Sequence, residues 1–312
     1  MHEQTQTISE VDWGKDDKII AGSHDRSVFI YRRAGNNKWE KMLVNIDIKL
    51  SILCAKWAPS AKKFGLGASC RSLALGFYNI ESSCWTVSVR EKFTKSPITS
   101  VSFHPSSNLM AVGSSDSSVR VVTCNFKRSK DPFVQKSDIE DSNYQGPFQG
   151  VDSLFETSVV IEDVGGWVNH LSFELNGSFL LVFPHSNHFK VFDIADEGGK
   201  VGLKDIDIKW NGLPFSGGYI SDKGIVFAGG FDRKVAVFTK SSSNFRIMKM
   251  DSASINTWKR MKNPPSRLLR RALCRICFLE SRRKPICLTQ AQHKMNTWTI
   301  YSKLYPRQAE SM

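Results

Sequence analysis

The side chains of this chain that could perform chemistry include a late group of cysteines with one histidine. Cys274, Cys277, Cys287 and His293 carry the ligand types that hold zinc in a tetrahedral site. The step from Cys287 to His293 is longer than the usual second ligand pair, however, and the surrounding residues are strongly basic. The sequence also contains no phosphate-binding, dinucleotide-binding, nucleophile-elbow or zinc-protease motif. We therefore predict no enzymatic activity, no catalytic residue, no cofactor and no metal site.

Three carboxylates and one histidine could also look catalytic. Asp25, Asp116 and Asp232 each follow a short apolar segment at the same place in a recurring pattern. A catalytic group is not expected to recur in every repeat, whereas a turn carboxylate that accepts backbone N–H groups is. His104, between Phe103 and a proline, reads in the same way as a turn residue. We expect structural roles for all four.

The segment that best shows the recurring pattern runs from Lys95 to Cys124. Ile98 to Phe103 alternates as a strand with two faces does, and Pro105 then ends it because proline has no N–H for a sheet ladder. Two further short apolar segments follow, separated by a turn around Asp116. Strand, proline turn, strand, aspartate turn and strand within about thirty residues is the layout of a WD repeat.

The same layout recurs along the chain. Aromatic residues end the predicted first strands, with spacings of 44, 46, 70 and 46 residues, at Trp13, Trp57, Phe103, Phe173 and Tyr219. Spacings near 45 are typical of propeller blades, and the longer one predicts an insertion of about 25 residues. Pro59 matches Pro105 in the second repeat, and Trp167 opens the fourth. We predict an all-β WD40-repeat propeller with five clear blades within residues 1–250, with Trp57 and Phe103 buried.

Residues 251–312 do not continue the pattern. They contain five Lys and eight Arg against three acidic residues, a balance of +10 out of the whole chain's +13. We interpret them as an irregular basic segment, with a degenerate final blade as the alternative. No apolar run is long enough to span a membrane, and the polar N-terminus lacks the apolar stretch of a signal peptide, which predicts a cytosolic or nuclear protein.

Within blades two and three the sequence resembles a specific family, subunit 1 of the actin-related protein 2/3 complex. The resemblance rests on Trp57-Ala58-Pro59, Lys62-Lys63-Phe64, Arg71, Phe77-Tyr78 and Trp85, and on the segment from Lys95 to Asp116. It extends in unbroken order over residues 8–240, through Gly166-Trp167-Val168 and Ala228 to Asp232. The family has seven blades, so the resemblance implies a divergent member with an atypical or truncated C-terminus.

The resemblance implies a non-catalytic scaffold subunit that supports actin nucleation and branched filament assembly in the cytoplasm. Its implied partners are actin-related proteins 2 and 3, the other complex subunits, the actin filament and nucleation-promoting factors. Basic loop candidates for an acidic partner are Lys62, Lys63, Arg71, Lys92 and Lys95. The alternative is a WD-repeat adaptor that binds nucleic acid or an anionic membrane through its basic tail.

Overall fold

The computed structural model describes residues 4–34, 38–79, 82–125, 153–196, 201–221, 224–232, 235–241 and 244–248. These residues form twenty β-strands and no helix, so none of them forms a helix that could cross a membrane. Residue contacts divide the chain into two units, Met1–Arg260 and Met261–Met312, and the twenty described strands lie in the first. The predicted basic tail, residues 251–312, lies outside the described residues.

The strands form five antiparallel sheets of four strands, each sheet made of four consecutive strands. Blade one contains β1 (Ile8–Trp13), β2 (Lys18–Ser23), β3 (Val28–Arg33) and β4 (Trp39–Leu43). Blade two contains β5 (Ile52–Trp57), β6 (Lys63–Ala68), β7 (Leu73–Asn79) and β8 (Cys84–Arg90). Blade three contains β9 (Ile98–Phe103), β10 (Leu109–Ser114), β11 (Val119–Cys124) and β12 (Leu154–Ile161). Blade four contains β13 (Val168–Phe173), β14 (Phe179–Pro184), β15 (His188–Asp196) and β16 (Val201–Lys209). Blade five contains β17 (Phe215–Ile220), β18 (Ile225–Gly230), β19 (Val235–Ser241) and β20 (Asn244–Met248).

Consecutive blades pack through their first two strands, as in a propeller. The first strand of each blade contacts the first strand of the next, from β1 through β5, β9 and β13 to β17. One cluster of buried apolar residues fills each of the four junctions between consecutive blades. The predicted all-β propeller with five four-stranded blades is confirmed. Trp57 and Phe103 are 6% and 7% exposed, so their predicted burial is confirmed too.

Glycines in the second strands allow this close packing. A Cβ atom added to Gly22, Gly67 or Gly113 would lie 2.7, 2.4 or 2.5 Å from an apolar side chain of the next blade's first strand. The side chains that take up this space are those of Ile52, Ile98 and Val168. The glycine of the recurring pattern is therefore a requirement of packing between blades, not of the turn that follows it.

The fourth junction reverses this arrangement. In blade four, Phe183 of β14 pairs with His170 of β13. In blade three, the equivalent position of the second strand is Gly113, which pairs with Ser100. A Cβ atom on Gly218, in the first strand of blade five, would lie 2.5 Å from the Phe183 ring. At this junction the large side chain thus lies on blade four and the glycine that makes room for it lies on blade five.

Several element boundaries differ from those predicted. The first strand of blade five ends at Ile220, which is fully buried, and Tyr219 is not its terminal aromatic. A shift of one residue exchanges the two faces of a strand, so Tyr219 lies on the opposite face. The insertion predicted from the longer spacing lies between β11 and β12 of blade three, and β12 runs from Leu154 to Ile161. Trp167 precedes β13 and is half exposed.

Candidate interaction surface

The described residues contain no group of three or more His, Cys, Asp and Glu side chains that could hold a metal ion. The cysteines among them, Cys54, Cys70, Cys84 and Cys124, are free. Burial raises the pKa of the Cys124 thiol to about 12, so this side chain is an inert core residue and not a nucleophile. The candidate ligands Cys274, Cys277, Cys287 and His293 lie outside the described residues.

Two of the turn aspartates, Asp25 and Asp116, join blades one and three to the segments that lead into them. Asp25 accepts the Ser27 N–H at 2.9 Å through one carboxylate oxygen and the Thr5 N–H through the other. Asp116 repeats this arrangement, accepting the N–H groups of Ser118 and Lys95, both at 3.0 Å. The geometry is that of a turn cap, because both oxygens of each carboxylate accept backbone N–H groups.

Both carboxylates favour the ionised form. Partial burial raises the pKa of Asp25, but the hydrogen bonds from Ser27, Thr5 and Ser23 outweigh this effect and hold the pKa at about 2. Burial and the equivalent hydrogen bonds act in the same way on Asp116 and lower its pKa. Asp232 occupies the matching turn of blade five, after β18.

His104 lies at the junction of blades three and four. Its side chain is fully buried, its Nδ1 is 2.7 Å from the Ser106 hydroxyl, and its ring meets Phe173 edge to face at 5.3 Å. Burial lowers the pKa of His104 to about 4, although a hydrogen bond with the backbone of Gly177 acts in the opposite direction. The imidazole is therefore neutral at physiological pH. With no route to solvent, it holds a turn and does not exchange protons with a substrate.

Pro59 and Pro105 occupy equivalent tight turns after the first strands of blades two and three. The turns are closed by hydrogen bonds from Ala61 N–H to Ala58 and from Ser107 N–H to His104. Ala61 and Ser107 both have a positive φ, 56° and 60°. The equivalent geometry explains why the proline turn recurs at this point of the repeat.

The prediction that Lys63 presents its charge to a partner is wrong. Lys63 lies in β6, is fully buried, and reaches from blade two into blade three. Its Nζ donates to the carbonyl oxygens of Ser107 at 2.8 Å and Cys124 at 3.2 Å, and to Asn125 Oδ1 at 3.3 Å. An ammonium group surrounded by acceptors of the neighbouring blade stabilises a junction and cannot contact an external partner.

The other four basic candidates do not form one surface. Arg71, Lys92 and Lys95 are exposed and lie in neighbouring loops, at the same end of the strands of blade two. The Arg71 carbonyl accepts the Phe93 N–H at 2.8 Å, which joins two of these loops directly. Lys62 is only partly exposed. It lies in the loop between β5 and β6, at the opposite end of the strands from the loops that carry the other three. The structure therefore brings together three of the five predicted basic residues.

The sequence reasoning missed an exposed aromatic group at the junction of blades four and five. Trp167, 50% exposed, stacks on His185 at 4.3 Å, and His185 meets the exposed Phe231 at 5.3 Å. Trp167 Nε1 donates to Asn169 Oδ1 at 3.0 Å, which fixes the indole. The pattern showed Trp167 only as the start of a blade, because nothing in the local sequence indicates that its ring stays exposed.

The repeats, their turn caps and their junctions define the class of protein: the chain is a WD40-repeat β-propeller. The family model described as "WD domain, G-beta repeat" matches residues 1–32 and 87–122.

More specifically, the chain is similar to subunit 1 of the actin-related protein 2/3 complex, and the resemblance predicted from the sequence is confirmed. It is 24% identical to Actin-related protein 2/3 complex subunit 1A of Arabidopsis thaliana over 245 residues, 78% of this chain and 61% of that protein. It is 27% identical to subunit 1A-B of Xenopus laevis over 207 residues, 62% of this chain and 50% of that protein. It is 23% identical to subunit 1 of Schizosaccharomyces pombe over 227 residues, 72% of this chain and 57% of that protein. The chain thus spans between half and about three fifths of the length of these curated relatives.

Proposed function

We propose that this chain is a non-catalytic scaffold subunit of a complex that contains actin-related proteins 2 and 3 and nucleates branched actin filaments. The observation that carries the proposal is the similarity to subunit 1 proteins of plant, frog and yeast over most of this chain. Its partners are then the two actin-related proteins, the other subunits, the actin filament and nucleation-promoting factors. Its location is the cytoplasm, at the actin cytoskeleton.

The physical basis of such a role is rigid placement. Buried side chains of each blade donate to or accept from the next, as Lys63 does between blades two and three and Ser100 does for the Leu171 N–H at 3.0 Å. Loops on a scaffold braced in this way hold fixed positions relative to one another, which suits a protein that positions other proteins. The exposed group of Arg71, Lys92 and Lys95 is the candidate contact for an acidic partner segment, since clustered cations favour an acidic surface.

The test is affinity purification of the tagged full-length chain from its native cells, followed by mass spectrometry. We expect recovery of both actin-related proteins in amounts comparable to the tagged chain, and retention of the complex at raised salt. Recovery of neither protein with a folded bait would contradict the proposal.

Charge reversal tests the basic loop group. Replacing Arg71, Lys92 and Lys95 with Glu should reduce capture of an acidic nucleation-promoting fragment by at least tenfold while leaving subunit recovery unchanged. The matched control replaces Lys15, Lys204 and Lys209 with Glu, because these three lysines are also exposed and lie on blades one and four. An equal loss in both triple variants would show that only net charge matters.

A second candidate function rests on the charge of residues 251–312. Their balance of +10 favours binding to nucleic acid or to an anionic membrane surface. Such binding should weaken steeply between 50 and about 200 mM salt, since it depends on released counterions. If the full chain recovers nucleic acid in a salt-sensitive way and no actin-related protein, this second function replaces the first.

A further inference from the structure

A crevice of about 450 Å³ opens between the outer parts of blades two and three. One wall is the segment that leaves β8, with Arg90, Lys92 and Phe93, and the other is formed by blade three. The blade-three wall contains Arg120 of β11 and Phe155 and Thr157 of β12. The volume falls within the range of small-molecule sites in proteins.

The charge of the crevice is strongly positive. Arg90, Lys92 and Arg120 line it, and Glu91 is the single acidic residue among the lining side chains. Glu91 forms an ion pair with Lys49 at 3.0 Å, so its negative charge is already offset by a cation that does not line the crevice. The lining therefore carries three cations against one carboxylate, and that carboxylate also pairs with Lys49 in solvent.

Arg120 is held in place but is not fully satisfied. Its Nη1 donates to the Phe93 carbonyl at 2.8 Å, and its guanidinium lies over the Phe93 ring at 5.7 Å. Its Nε–H is buried and has no hydrogen-bond partner among the described residues. A buried donor without a partner is costly, and a guanidinium matches the oxygen geometry of a phosphate group. Arg120 is partly exposed and lines the crevice, so its guanidinium is a suitable contact for a phosphate group there.

The wall opposite Phe93 has an irregular backbone. Phe155 has a φ of 57°, a conformation that bulky residues rarely adopt, and the pairing of β11 with β12 shifts register between Val122 and Cys124. This irregularity places an aromatic ring and the exposed Thr157 beside the three cations. The lining thus combines three cations, one carboxylate, a hydroxyl and two aromatic rings.

We propose that the crevice between blades two and three binds a small ligand carrying two or more phosphate groups. Phosphate is favoured over a single carboxylate because three cations converge, and because a phosphate monoester carries up to two negative charges and three acceptor oxygens. The ligand is either a soluble polyphosphorylated sugar-like molecule or the headgroup of a phosphorylated lipid. This inference does not depend on the proposed function.

The experiment titrates the full-length chain with inositol 1,4,5-trisphosphate by isothermal titration calorimetry at 150 mM salt. We expect saturable binding at one site. Replacing Arg90 and Lys92 with Gln should weaken the affinity at least tenfold. The control replaces Lys204 and Lys209 with Gln, which removes two exposed charges from blade four and should change the affinity less than twofold.

Two outcomes overturn the proposal. In the first, the affinity is unchanged when Arg90 and Lys92 are replaced, or it falls equally in the control variant. Either result shows that the trisphosphate binds through charges elsewhere in the chain. If the trisphosphate does not bind but a ten-residue glutamate peptide binds through Arg90 and Lys92, the crevice is assigned to an acidic protein segment instead.

A second arm separates the two sources of the ligand. Phosphatidylcholine vesicles containing phosphatidylinositol 4,5-bisphosphate are sedimented with each variant. If the wild-type chain binds the vesicles and the variant without Arg90 and Lys92 does not, the ligand is the lipid headgroup. Binding of the soluble trisphosphate without vesicle binding supports a soluble ligand.

Discussion

Two buried polar residues show how single side chains join neighbouring blades. Lys63 donates from blade two to three oxygen atoms of blade three, and His104 packs its ring against Phe173 of blade four. Both are fully buried, where an unpaired polar group would cost several kcal/mol, on the order of 2–7. Their hydrogen bonds therefore specify one arrangement of the blades.

The low pKa of His104 predicts a pH-dependent stability. The pKa is about 4 in the folded protein, because burial disfavours the charged ring, against an ordinary value of 6.5. Above pH 6.5 the ring is neutral in both states. Between pH 6.5 and 4 only the unfolded state binds the proton, so stability falls as the pH falls, by up to about 3 kcal/mol. Urea denaturation at several pH values measures this.

The control for this prediction is a pair of glutamine variants. H104Q should flatten the decline between pH 6.5 and 4, whereas H24Q should leave it intact because His24 is exposed. A slope that H104Q does not change would assign the pH dependence to other groups.

Trp13 and Trp57 end equivalent first strands but lie in different environments. Trp57 is 6% exposed and packs against Phe64 and Trp85, whereas Trp13 is 40% exposed. Trp57→Ala should therefore lower the free energy of unfolding by about 3–5 kcal/mol, as large truncations in cores do. Trp13→Ala should cost about 2 kcal/mol less than Trp57→Ala, because the exposed 40% of Trp13 already contacts water in the folded protein. Chemical denaturation of the two variants compares them, and equal losses would contradict the assigned environments.

At the scale of the element, the glycines of the second strands set how closely the blades approach. A Cβ atom on Gly22 would lie 2.7 Å from Ile52 Cγ2 but 3.6 Å from the Cβ of Ala55. The first distance is a clash and the second is ordinary contact. The space that an extra methyl group needs at this junction is thus occupied by a single branch of Ile52.

A double-mutant cycle tests this contact. Gly22→Ala should destabilise the protein by about 1–3 kcal/mol through overpacking, and Ile52→Ala by about 2–5 kcal/mol through a cavity. The double variant should lose about 1–2 kcal/mol less stability than the sum of the two single losses, because Ile52→Ala removes the clashing atom. Gly22→Ala with Ala55→Gly serves as the control and should show no such compensation. Additive losses in both cycles would mean that Ile52 does not limit the junction.

At the scale of the whole propeller, protection from solvent is uneven among the blades. The first strand of blade one exposes Val11 and Trp13, and its fourth strand is exposed along its full length. The second strands of blades one and three are both largely buried, but the first strand of blade three, unlike that of blade one, has no exposed residue. Blade one therefore has fewer apolar contacts to lose when it opens.

Hydrogen exchange followed by mass spectrometry measures this difference. We expect peptides covering β1 and β4 to exchange at least tenfold faster than peptides covering β9 and β10, since exchange reports local opening and opening is easier where less apolar surface is buried. Uniform protection across blades one and three would show that the described blades open as one cooperative unit.

The sequence by itself determined the blades. Alternating apolar residues, proline turns and aspartate turns recur at a spacing set by local backbone geometry, so they located most strands and predicted the burial of Trp57 and Phe103. The tertiary structure decided what the pattern leaves open. It buried Lys63, which a charge pattern places at the surface, because its acceptors lie 44 to 62 residues further along the chain. It ended the first strand of blade five at Ile220, one residue later than the pattern predicts. It also brought Arg90, Arg120 and Phe155 into one crevice. Local periodicity fixes which residues share a face of a strand, but only packing between blades decides which side chains meet.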